Sequence, residues 1–289
     1  MITFNPEPGI REYIKDELKK FGHRYNDKLE WEDNFLIAHS LARKIPASKP
    51  RYLIELPNIT VPHHLISGYN SLKKNIINGV SLKGHLSTKT AKFKFHDLLL
   101  NYWNIHHLHL STEKYKNGFY ERTGYVVFCL IYDNAVIVID ILPHPTAQND
   151  GWFNIDLIEK IHKFIPDALQ KFKTNHITGH TLTASQRNAL HSNHTNYAMR
   201  LNDGTVYYLA GVMSNGVSFN DMIQLMHLQV KIDYFDNVVR LNNDDLAKVL
   251  STTDCELTIA IDNGECILYS PKHSTGIRIN DVKNTTSQF

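Results

Sequence analysis

The composition of this 289-residue chain is that of a folded protein close to electrical neutrality. Hydrophobic residues make up 42% and charged residues 21%, which is typical of a globular chain and excludes an intrinsically disordered one. The formal net charge of +2 argues against a protein that binds nucleic acid through an overall basic surface, although it leaves local basic patches open. Histidine is the unusual component, with 17 copies.

The cysteines and the hydropathy pattern favour a cytoplasmic protein. Cys129, Cys255 and Cys266 are too few and too scattered for a disulfide framework, and we interpret Cys255 and Cys266, which flank a predicted hairpin, as reduced. No signal peptide is recognisable at the N-terminus, and the apolar runs are strand-sized, so we expect no membrane partner. A P-loop and a Gly-x-Gly-x-x-Gly pattern are both missing from the sequence, and we expect no cofactor.

The N-terminal region, residues 1–92, is predicted to be helical. Apolar residues recur at helical spacing in three segments, at 10–24, 29–45 and 64–78. Residues 51–56 are predicted to form a short strand or extended connector, and the polar residues 79–92 a loop.

Residues 93–178 are predicted to form a central domain around an antiparallel β-sheet. A short amphipathic helix over 93–103 precedes the strands. Segments rich in β-branched and aromatic residues predict three strands, at 105–111, 122–132 and 135–142. A two-residue turn at Asp133-Asn134 predicts a hairpin. A helix over 156–172 follows, which Pro166 should kink or split.

Residues 179–289 are predicted to form a smaller α+β region. Turn signals at 202–204 and at 263–264 predict two hairpins. We expect a helix at 183–191 before the first hairpin, and helices from 218 or 220 to 241 and at 244–250 between the two hairpins. We expect a frayed tail after residue 279. The predicted fold class is therefore α+β, with a helical N-terminal region, a central antiparallel sheet flanked by helices, and this C-terminal region.

The most informative stretch is Trp103-Asn-Ile-His-His-Leu-His-Leu-Ser111. Side chains alternate faces along a strand, so His107, His109 and Ser111 share one face. His106 lies with the leucines on the other face, which we expect to be core. His107 and His109 should therefore point together towards an open face of the sheet.

The neighbouring strands carry further polar groups on their predicted faces. Asp140 and His144 share a face of the third strand, and a carboxylate in an apolar strand needs a partner such as Arg122. In an antiparallel meander these groups would join His107 and His109. Such residues suit metal-independent phosphodiester cleavage, because one imidazole removes a hydroxyl proton, another protonates the leaving oxygen, and a guanidinium stabilises the phosphorane.

Other interpretations of the same residues remain open. One is a partly exposed histidine strand without a function. Another is a metal site in which His107 and His109 chelate one ion with Asp140 or His144; we rank it lower, because no diagnostic spacing such as His-Glu-x-x-His occurs.

Two short patterns resemble those of other phosphodiesterases. His-x-Ser/Thr pairs resemble the 2H phosphoesterase pattern, in which each histidine acts on one oxygen; they occur at His85-Leu-Ser87, His109-Leu-Ser111 and His144-Pro-Thr146. The stretch from Arg187 to His194 resembles the Arg-x4-6-His motif of HEPN ribonucleases, which lies on a helix.

The stretch from Phe93 to His144 resembles the antiparallel core of RelE-like toxins and of the wider barnase–EndoU–colicin–RelE ribonuclease group. The order is helix, strand, turn, Arg-bearing strand, tight turn and apolar strand. The resemblance implies RNA cleavage by 2′-hydroxyl attack without metal. It implies that His107 or His109 is the base or acid, that Arg122 binds phosphate, and that His144 is the other proton-transfer group.

Our leading hypothesis is a prokaryotic or phage-associated toxin-like endoribonuclease, with RNA as substrate and a protein antitoxin or another protein as partner. We assign Asp140, Trp103 and Ser111 to substrate binding. The competing hypothesis is a non-enzymatic binding or sensor protein of a defence or phage system, with a His-rich docking face. Aromatic residues near the histidine strand fit both hypotheses; they are Tyr102, Trp103, Tyr115, Phe119, Tyr120 and Tyr125.

Overall fold

The computed structural model describes residues 1–90, 92, 95–145, 153–208, 210–262 and 265–277. The chain is α+β, as predicted, with 42% of residues in helices and 21% in strands. It divides into two compact units, of which unit 1 comprises Met1–His39 with Asp221–Phe289, and unit 2 comprises Ser40–Asn220. The boundaries predicted after residues 92 and 178 both lie inside unit 2.

The predicted helices and strands occur in the predicted order, but their first and last residues are shifted. The helices are α1 (Glu7–Lys20), α2 (Trp31–Lys44), α3 (Ile66–Ile77), α4 (Leu98–Trp103), α5 (Ile155–Phe164), α6 (Ala184–Ser192), α7 (Phe219–Leu241) and α8 (Asn243–Leu250). The strands are β1 (Ile2–Phe4), β2 (Tyr52–Glu55), β3 (His106–His109), β4 (Tyr125–Ile131), β5 (Ala135–Pro143), β6 (Ala198–Arg200), β7 (Val206–Tyr208), β8 (Cys255–Asp262), β9 (Glu265–Ser270) and β10 (Thr275–Ile277). Short 3-10 helices occur at His63–Leu65, Leu82–His85 and Pro166–Phe172.

Unit 1 contains a four-stranded sheet in the order β1-β8-β9-β10. The predicted hairpin is present as β8 and β9, but its turn, 263–264, and the tail after residue 279 lie outside the described residues. β1 pairs in parallel with β8, so that Ile2 is opposite Cys255. The sequence did not predict β1 or β10, because three residues are too few to show an alternating pattern.

Helix α1 packs directly on this sheet. Ile10, Ile14 and Leu18, at helical spacing, are buried. A Cβ on Gly9 would lie 1.7 Å from the carbonyl oxygen of Ile259, so the glycine allows the helix backbone to contact β8. The helix begins earlier than predicted, because a proline in the first helical turn is compatible with helix geometry.

Unit 2 is built on a mixed sheet in the order β2-β5-β4-β3. The predicted meander is present, because β3 pairs antiparallel with β4 and β4 pairs antiparallel with β5. A fourth strand, β2, comes from outside the predicted central domain and pairs in parallel with β5, which makes the complete sheet mixed. A parallel neighbour from a distant segment leaves no turn signal in the sequence.

Helices cover both faces of this sheet. α3 crosses one face: its Tyr69 donates to Glu55 of β2, and a Cβ on Gly68 would lie 1.6 Å from the Leu110 carbonyl oxygen, just after β3. On the other face, residues of α4 and α5 form one core cluster with β4 and β5. The open face expected beside His107 and His109 is therefore absent among the described residues, and all four residues of β3 are buried.

A β-bulge interrupts the pairing of β4 with β5. Phe128 is opposite Asp140 and Cys129 is opposite Val138, which leaves Ile139 as the extra residue. Alternation reverses at a bulge. As a result, Ile139 packs in the core cluster with α5, whereas Ile141 pairs with Val127 on the opposite face. Ile139 and Ile141, which simple alternation would place on one face, therefore lie on opposite faces.

The remaining predictions for unit 2 agree well with the structure. α5 ends before Pro166, and a 3-10 helix continues from there. α6 starts at a capping box in which Thr183 and Gln186 bond reciprocally. The hairpin of β6 and β7 is present.

Across both units, all three cysteines are free. None of the described helices has the length and apolar character needed to cross a bilayer.

Candidate functional site

The meander gathers the predicted proton-transfer groups at one end of the unit 2 sheet. β3 ends where β4 begins, with His109 opposite Val126, and Val126 is opposite Leu142 near the end of β5. Arg122 precedes β4 and His144 follows β5. The backbone N–H of His144 donates to the Gly124 carbonyl at 2.7 Å, which holds the end of β5 beside the start of β4.

Three imidazole rings follow one another at this end of the sheet. The rings of His107 and His109 meet edge to face with centroids 6.3 Å apart. The ring of His144 stacks on that of His109 at 5.7 Å, with 12° between the planes. Burial lowers the pKa of all three histidines, and the positive charge of Arg122 adds to that effect. The structure thus brings His107, His109, Arg122 and His144 together, as predicted.

A cleft of about 530 Å³ opens beside this cluster. Its size lies within the range of small-ligand sites. The described residues that line it come from several separate segments of unit 2 and are Ser87, Lys89, Phe95, His96, Asp97, Leu98, Leu99, His107, Arg122, His144, Pro145, Phe153, Asn188 and Ser192. The cleft therefore combines two of the predicted histidines and the predicted arginine with a carboxylate and a lysine.

Asp97 both starts helix α4 and faces His107. Its Oδ1 accepts from the backbone N–H of Leu100 at 3.1 Å, as an N-cap. Its Oδ2 lies 3.8 Å from Nδ1 of His107, an ion-pair distance rather than a hydrogen bond. Burial lowers the pKa of His107, and the Asp97 carboxylate opposes that shift. The carboxylate favours a proton on Nδ1, which makes Nε2 the basic nitrogen of the ring.

His144 presents the same tautomer from the other side of the cluster. Its Nδ1 donates to the Pro145 carbonyl oxygen at 3.0 Å, so Nε2 is the basic nitrogen. Burial is the main cause that lowers its pKa, and the Arg122 guanidinium adds to the effect. At neutral pH the imidazoles of His107 and His144 are therefore mostly neutral and able to accept a proton.

His109 does not reach the cleft. Its side chain is 2% exposed, burial lowers its pKa to about 3, and it is not among the described lining residues. Its carbonyl oxygen accepts from Nδ1 of the buried His85 at 2.8 Å. His109 thus packs behind His144, and the prediction that it exchanges protons with a substrate is not supported by its position.

The three residues predicted to bind substrate also lie elsewhere. Trp103 is 2% exposed in the core cluster, where it meets Phe153 edge to face. Ser111 is buried and accepts from the Glu113 backbone N–H at 3.0 Å. Asp140 shares the face of His107 but lies beyond β4 and binds Lys160 at 3.0 Å. Each prediction followed strand alternation alone, which fixes a face but not a position along or across the sheet.

The Arg-x4-6-His pattern forms an anchor rather than a second site. Nε of Arg187 donates to the Phe153 carbonyl at 2.9 Å, and the guanidinium also donates to the Leu182 carbonyl. His191 is fully buried among aromatic rings, with its centroid 4.1 Å from that of Tyr102. These contacts hold α6 beside the cleft, and the two hydrogen bonds to backbone carbonyls compensate the burial of Arg187.

The two polar residues of the His-x-Ser pattern at 85–87 lie in different environments. His85 is buried, stacks on Tyr120 at 4.0 Å and lies 3.0 Å from the Asn75 amide nitrogen. Ser87 lines the cleft. Thr146, the last residue of the third such pair, lies outside the described residues. The paired arrangement of two His-x-Thr strands is therefore not seen in the described chain.

Several cleft residues were not assigned to a site from the sequence. Asp97 could have been recognised as the N-cap of the short helix that precedes the histidine strand. Asn188 and Ser192 are four residues apart on α6, a spacing that places them on one face. Lys89 and His96 carry no local signal, because they reach the cleft only through long-range folding.

Neither the metal alternative nor a relationship to known proteins gains support. Within the described ranges, no three histidine, cysteine, aspartate or glutamate side chains are grouped so that they could hold a metal ion. Comparison of the chain with protein-family models, curated protein sequences and solved structures gives no match. Conclusions about function therefore depend on the cleft itself.

Proposed function

We propose that the cleft is the active site of a metal-independent endoribonuclease. The observation that carries this proposal is the meeting of His107, Arg122 and His144 in one cleft, although the three residues come from separate segments of the chain. Two imidazoles and a guanidinium are sufficient to cleave RNA through its own 2′-hydroxyl.

In the proposed reaction, Nε2 of His107 accepts the proton of the 2′-hydroxyl. The 2′-oxygen then forms a bond to the adjacent phosphorus, and the bond from phosphorus to the 5′-oxygen breaks. That leaving oxygen takes a proton from His144. The products are a 2′,3′-cyclic phosphate and a 5′-hydroxyl, and a final proton exchange with water restores both imidazoles.

Two cationic side chains among the lining residues support phosphate binding. Arg122 is exposed and Lys89 is exposed, and both line the cleft. The guanidinium suits the equatorial oxygens of a phosphorane, to which it offers parallel N–H donors. Lys89 adds a point charge that attracts the phosphodiester backbone.

The carboxylate of Asp97 would act through His107. As the imidazole gains a proton from the 2′-hydroxyl, the negative charge of Asp97 at 3.8 Å stabilises the imidazolium that forms. Asp97 is therefore a positioning residue in this proposal, with no direct contact to the substrate.

His144 needs a proton before it can act as an acid, although burial and Arg122 lower its pKa. A bound phosphodiester carries a negative charge, which raises the pKa of a nearby imidazole. Arrival of the substrate would thus supply the condition for protonation. We accordingly expect the reaction to be fastest on the acidic side of neutrality.

The resemblance of residues 93–144 to RelE-like toxins is consistent with this chemistry, and it suggests a cytoplasmic toxin-like role in which a protein inhibitor covers the cleft. The alternative of a non-enzymatic histidine-rich docking face has less support. Of the three histidines of β3, only His107 is among the described residues that line the cleft, and His106 and His109 are buried away from it.

Cleavage of single-stranded RNA by the purified protein tests the proposal. We expect His107→Ala and His144→Ala to lose at least about 100-fold in rate, typical of proton-transfer groups, and Arg122→Ala to lose a similar factor. Two matched controls are exposed residues away from the cleft, His176→Ala and Arg200→Ala, and they should keep the wild-type rate.

The products decide between this and other nuclease mechanisms. We expect 2′,3′-cyclic phosphate ends in the presence of a chelator, and no cleavage of the same sequence as 2′-deoxy oligonucleotide. The proposal is wrong if the wild-type protein leaves RNA intact, if it cuts DNA equally well, or if the three cleft variants behave as the two controls do.

A further inference from the structure

Helix α7 carries apolar side chains on two opposite sides. The side that faces the core of unit 1 includes Phe235 and Val239, which pack in one cluster with residues of β8. Four large apolar side chains on the opposite side are 45% to 76% exposed: Met226, Val230, Tyr234 and Leu241. We call these four side chains, together with the half-buried Ile223, the outer stripe.

The outer stripe is continuous along the helix. At about 100° per residue, its five members fall within about 80° of arc, and the arc is centred opposite the buried positions. The stripe runs about 27 Å along the axis and exposes roughly 400 Å² of mainly apolar surface. A surface helix ordinarily has one apolar side, and a monomeric protein rarely exposes a larger apolar patch without a functional reason. We therefore expect a second molecule to cover the stripe.

We propose that the outer stripe is a homodimer interface in which two α7 helices pack antiparallel about a two-fold axis at Val230. A closed dimer uses the same surface on both copies, so that surface must be complementary to itself. The spacing of the stripe meets this condition, because Met226 and Tyr234 each lie four residues from Val230. The proposal goes beyond the nuclease function and does not depend on it.

The side chains that meet in this arrangement are compatible with one another. Val230 packs against Val230 of the second copy on the axis. Met226 packs against Tyr234 of the second copy, and a thioether beside an aromatic ring is a favourable contact. Ile223 is opposite Asn237 of the second copy. The amide of Asn237 donates to the Asp233 carbonyl at 2.9 Å and accepts from Arg240 at 2.7 Å, so its polar groups are satisfied within its own helix.

The charges beside the outer stripe favour the antiparallel orientation. Exposed Lys231, Asp233, Asp236 and Arg240 all lie C-terminal to Val230. A parallel pair would place each acidic residue beside its own counterpart, whereas an antiparallel pair separates them along the axis. The balance of two acidic and two basic residues also makes a lipid surface a poor occupant, because helices that lie on membranes are rich in lysine and arginine on their polar side.

The size of the interface predicts a dimer that dissociates on dilution. With the flanking side chains, about 600 Å² would be buried on each copy, which is the lower end for specific interfaces. Sedimentation equilibrium of the full chain from about 1 to 200 µM tests this. We expect the wild-type mass to rise from that of one chain to that of two across this range.

Val230→Glu places two like charges against each other on the axis, and it should raise the dissociation constant at least about tenfold. The matched control is Gln224→Glu, which makes a substitution to the same residue at an exposed position of α7 outside the stripe. It should dimerise as the wild type does. Both positions are exposed, so circular dichroism and urea denaturation should show both variants folded as the wild type is.

Cysteine cross-linking tests the orientation. Val230→Cys should form a disulfide-linked dimer under mild oxidation, because the two thiols meet on the axis. Met226→Cys should not, because its two thiols would be separated by about 12 Å along the axis. The double variant Met226→Cys with Tyr234→Cys should link. The wild type, with its three native free cysteines, serves as the background.

A concentration-dependent dimer that Val230→Glu weakens and Gln224→Glu keeps, with a cross-link at position 230 and none at 226, supports the proposal. A wild type that stays monomeric throughout overturns it, as does equal dimerisation of both glutamate variants. Cross-linking of Met226→Cys as efficient as that of Val230→Cys overturns the antiparallel arrangement. A monomer that sediments with phosphatidylglycerol vesicles, and is released from them by Val230→Glu, would overturn the proposal in favour of a lipid surface. RNA cleavage is measured separately, and its presence or absence decides the proposed function alone.

Discussion

Replacement of Asp97 by asparagine separates the two tasks of this residue, helix capping and stabilisation of the His107 imidazolium. Asparagine caps helices as well as aspartate does, so the bond from the Leu100 N–H survives and the free energy of unfolding should change by less than about 0.5 kcal/mol. The negative charge beside His107 is lost. The pKa of His107, which the carboxylate supports against burial, should then fall further.

The expected loss of rate follows from the distance between the two charges. Unit charges about 4 Å apart attract by about 1 kcal/mol in water and by about 4 kcal/mol at an effective dielectric constant of 20. The side chains of Asp97 and His107 are 13% and 8% exposed, so an intermediate value of about 2 kcal/mol is reasonable. Asp97→Asn should therefore slow RNA cleavage by roughly 30-fold.

Asp97→Ala provides the comparison. It should lose the same factor in rate and, in addition, about 1 kcal/mol of stability, because the cap is removed. Single-turnover cleavage and urea denaturation of both variants measure the two effects. A wild-type rate in Asp97→Asn, or a rate loss confined to Asp97→Ala, would refute the role of the charge.

Two predictions concern stability. His191 is buried with neither ring nitrogen hydrogen-bonded in the described structure, and burial lowers its pKa to about 3. His191→Phe should therefore stabilise unit 2 by about 1 to 3 kcal/mol at pH 7. As the pH falls from about 6.5 towards 3, His191 of the unfolded wild-type chain becomes protonated before His191 of the folded protein, so the wild type loses stability. The advantage of His191→Phe should therefore grow on acidification. Denaturation midpoints of both proteins at pH 7 and 5 measure this difference, and a variant less stable than the wild type would contradict the prediction. Gly68→Ala, whose Cβ would lie 1.6 Å from the Leu110 carbonyl oxygen, should cost about 3 kcal/mol or more. Gly118→Ala, with nothing within 4 Å but a φ of +83°, should cost only about 1 kcal/mol, and equal costs for the two glycines would show that α3 and β3 do not approach so closely.

The elements with strong local patterns could be predicted from the sequence. The break at Pro166 and the cap at Thr183 each depend on residues within a few positions. β1 and the parallel pairing of β2 depend on segments that are distant in the chain, for which one sequence holds no local signal. The extra residue Ile139 was also missed, because an unbroken alternation of apolar residues does not reveal a bulge.

The candidate site was predictable to the extent that it follows strand connectivity. His107, Arg122 and His144 could be placed together, because an antiparallel meander brings the end of one strand to the start of the next. The covering of the histidine face by α4 and α5 was not predictable from alternation. For that reason Trp103, a core residue, was assigned to substrate binding, and Asn188 on the distant helix α6 was not connected with the cleft.

The pairing of β1 with β8 has a consequence for the order in which the molecule folds during synthesis. Unit 2 is continuous in the chain, so a ribosome completes all of its strands before it reaches α8. In unit 1, the first strand, Ile2–Phe4, cannot pair with its neighbour until Cys255–Asp262 has emerged from the ribosome. Domains fold as units as they are synthesised. Unit 2, which contains the proposed nuclease cleft, can thus fold while β1 is still without its neighbour β8.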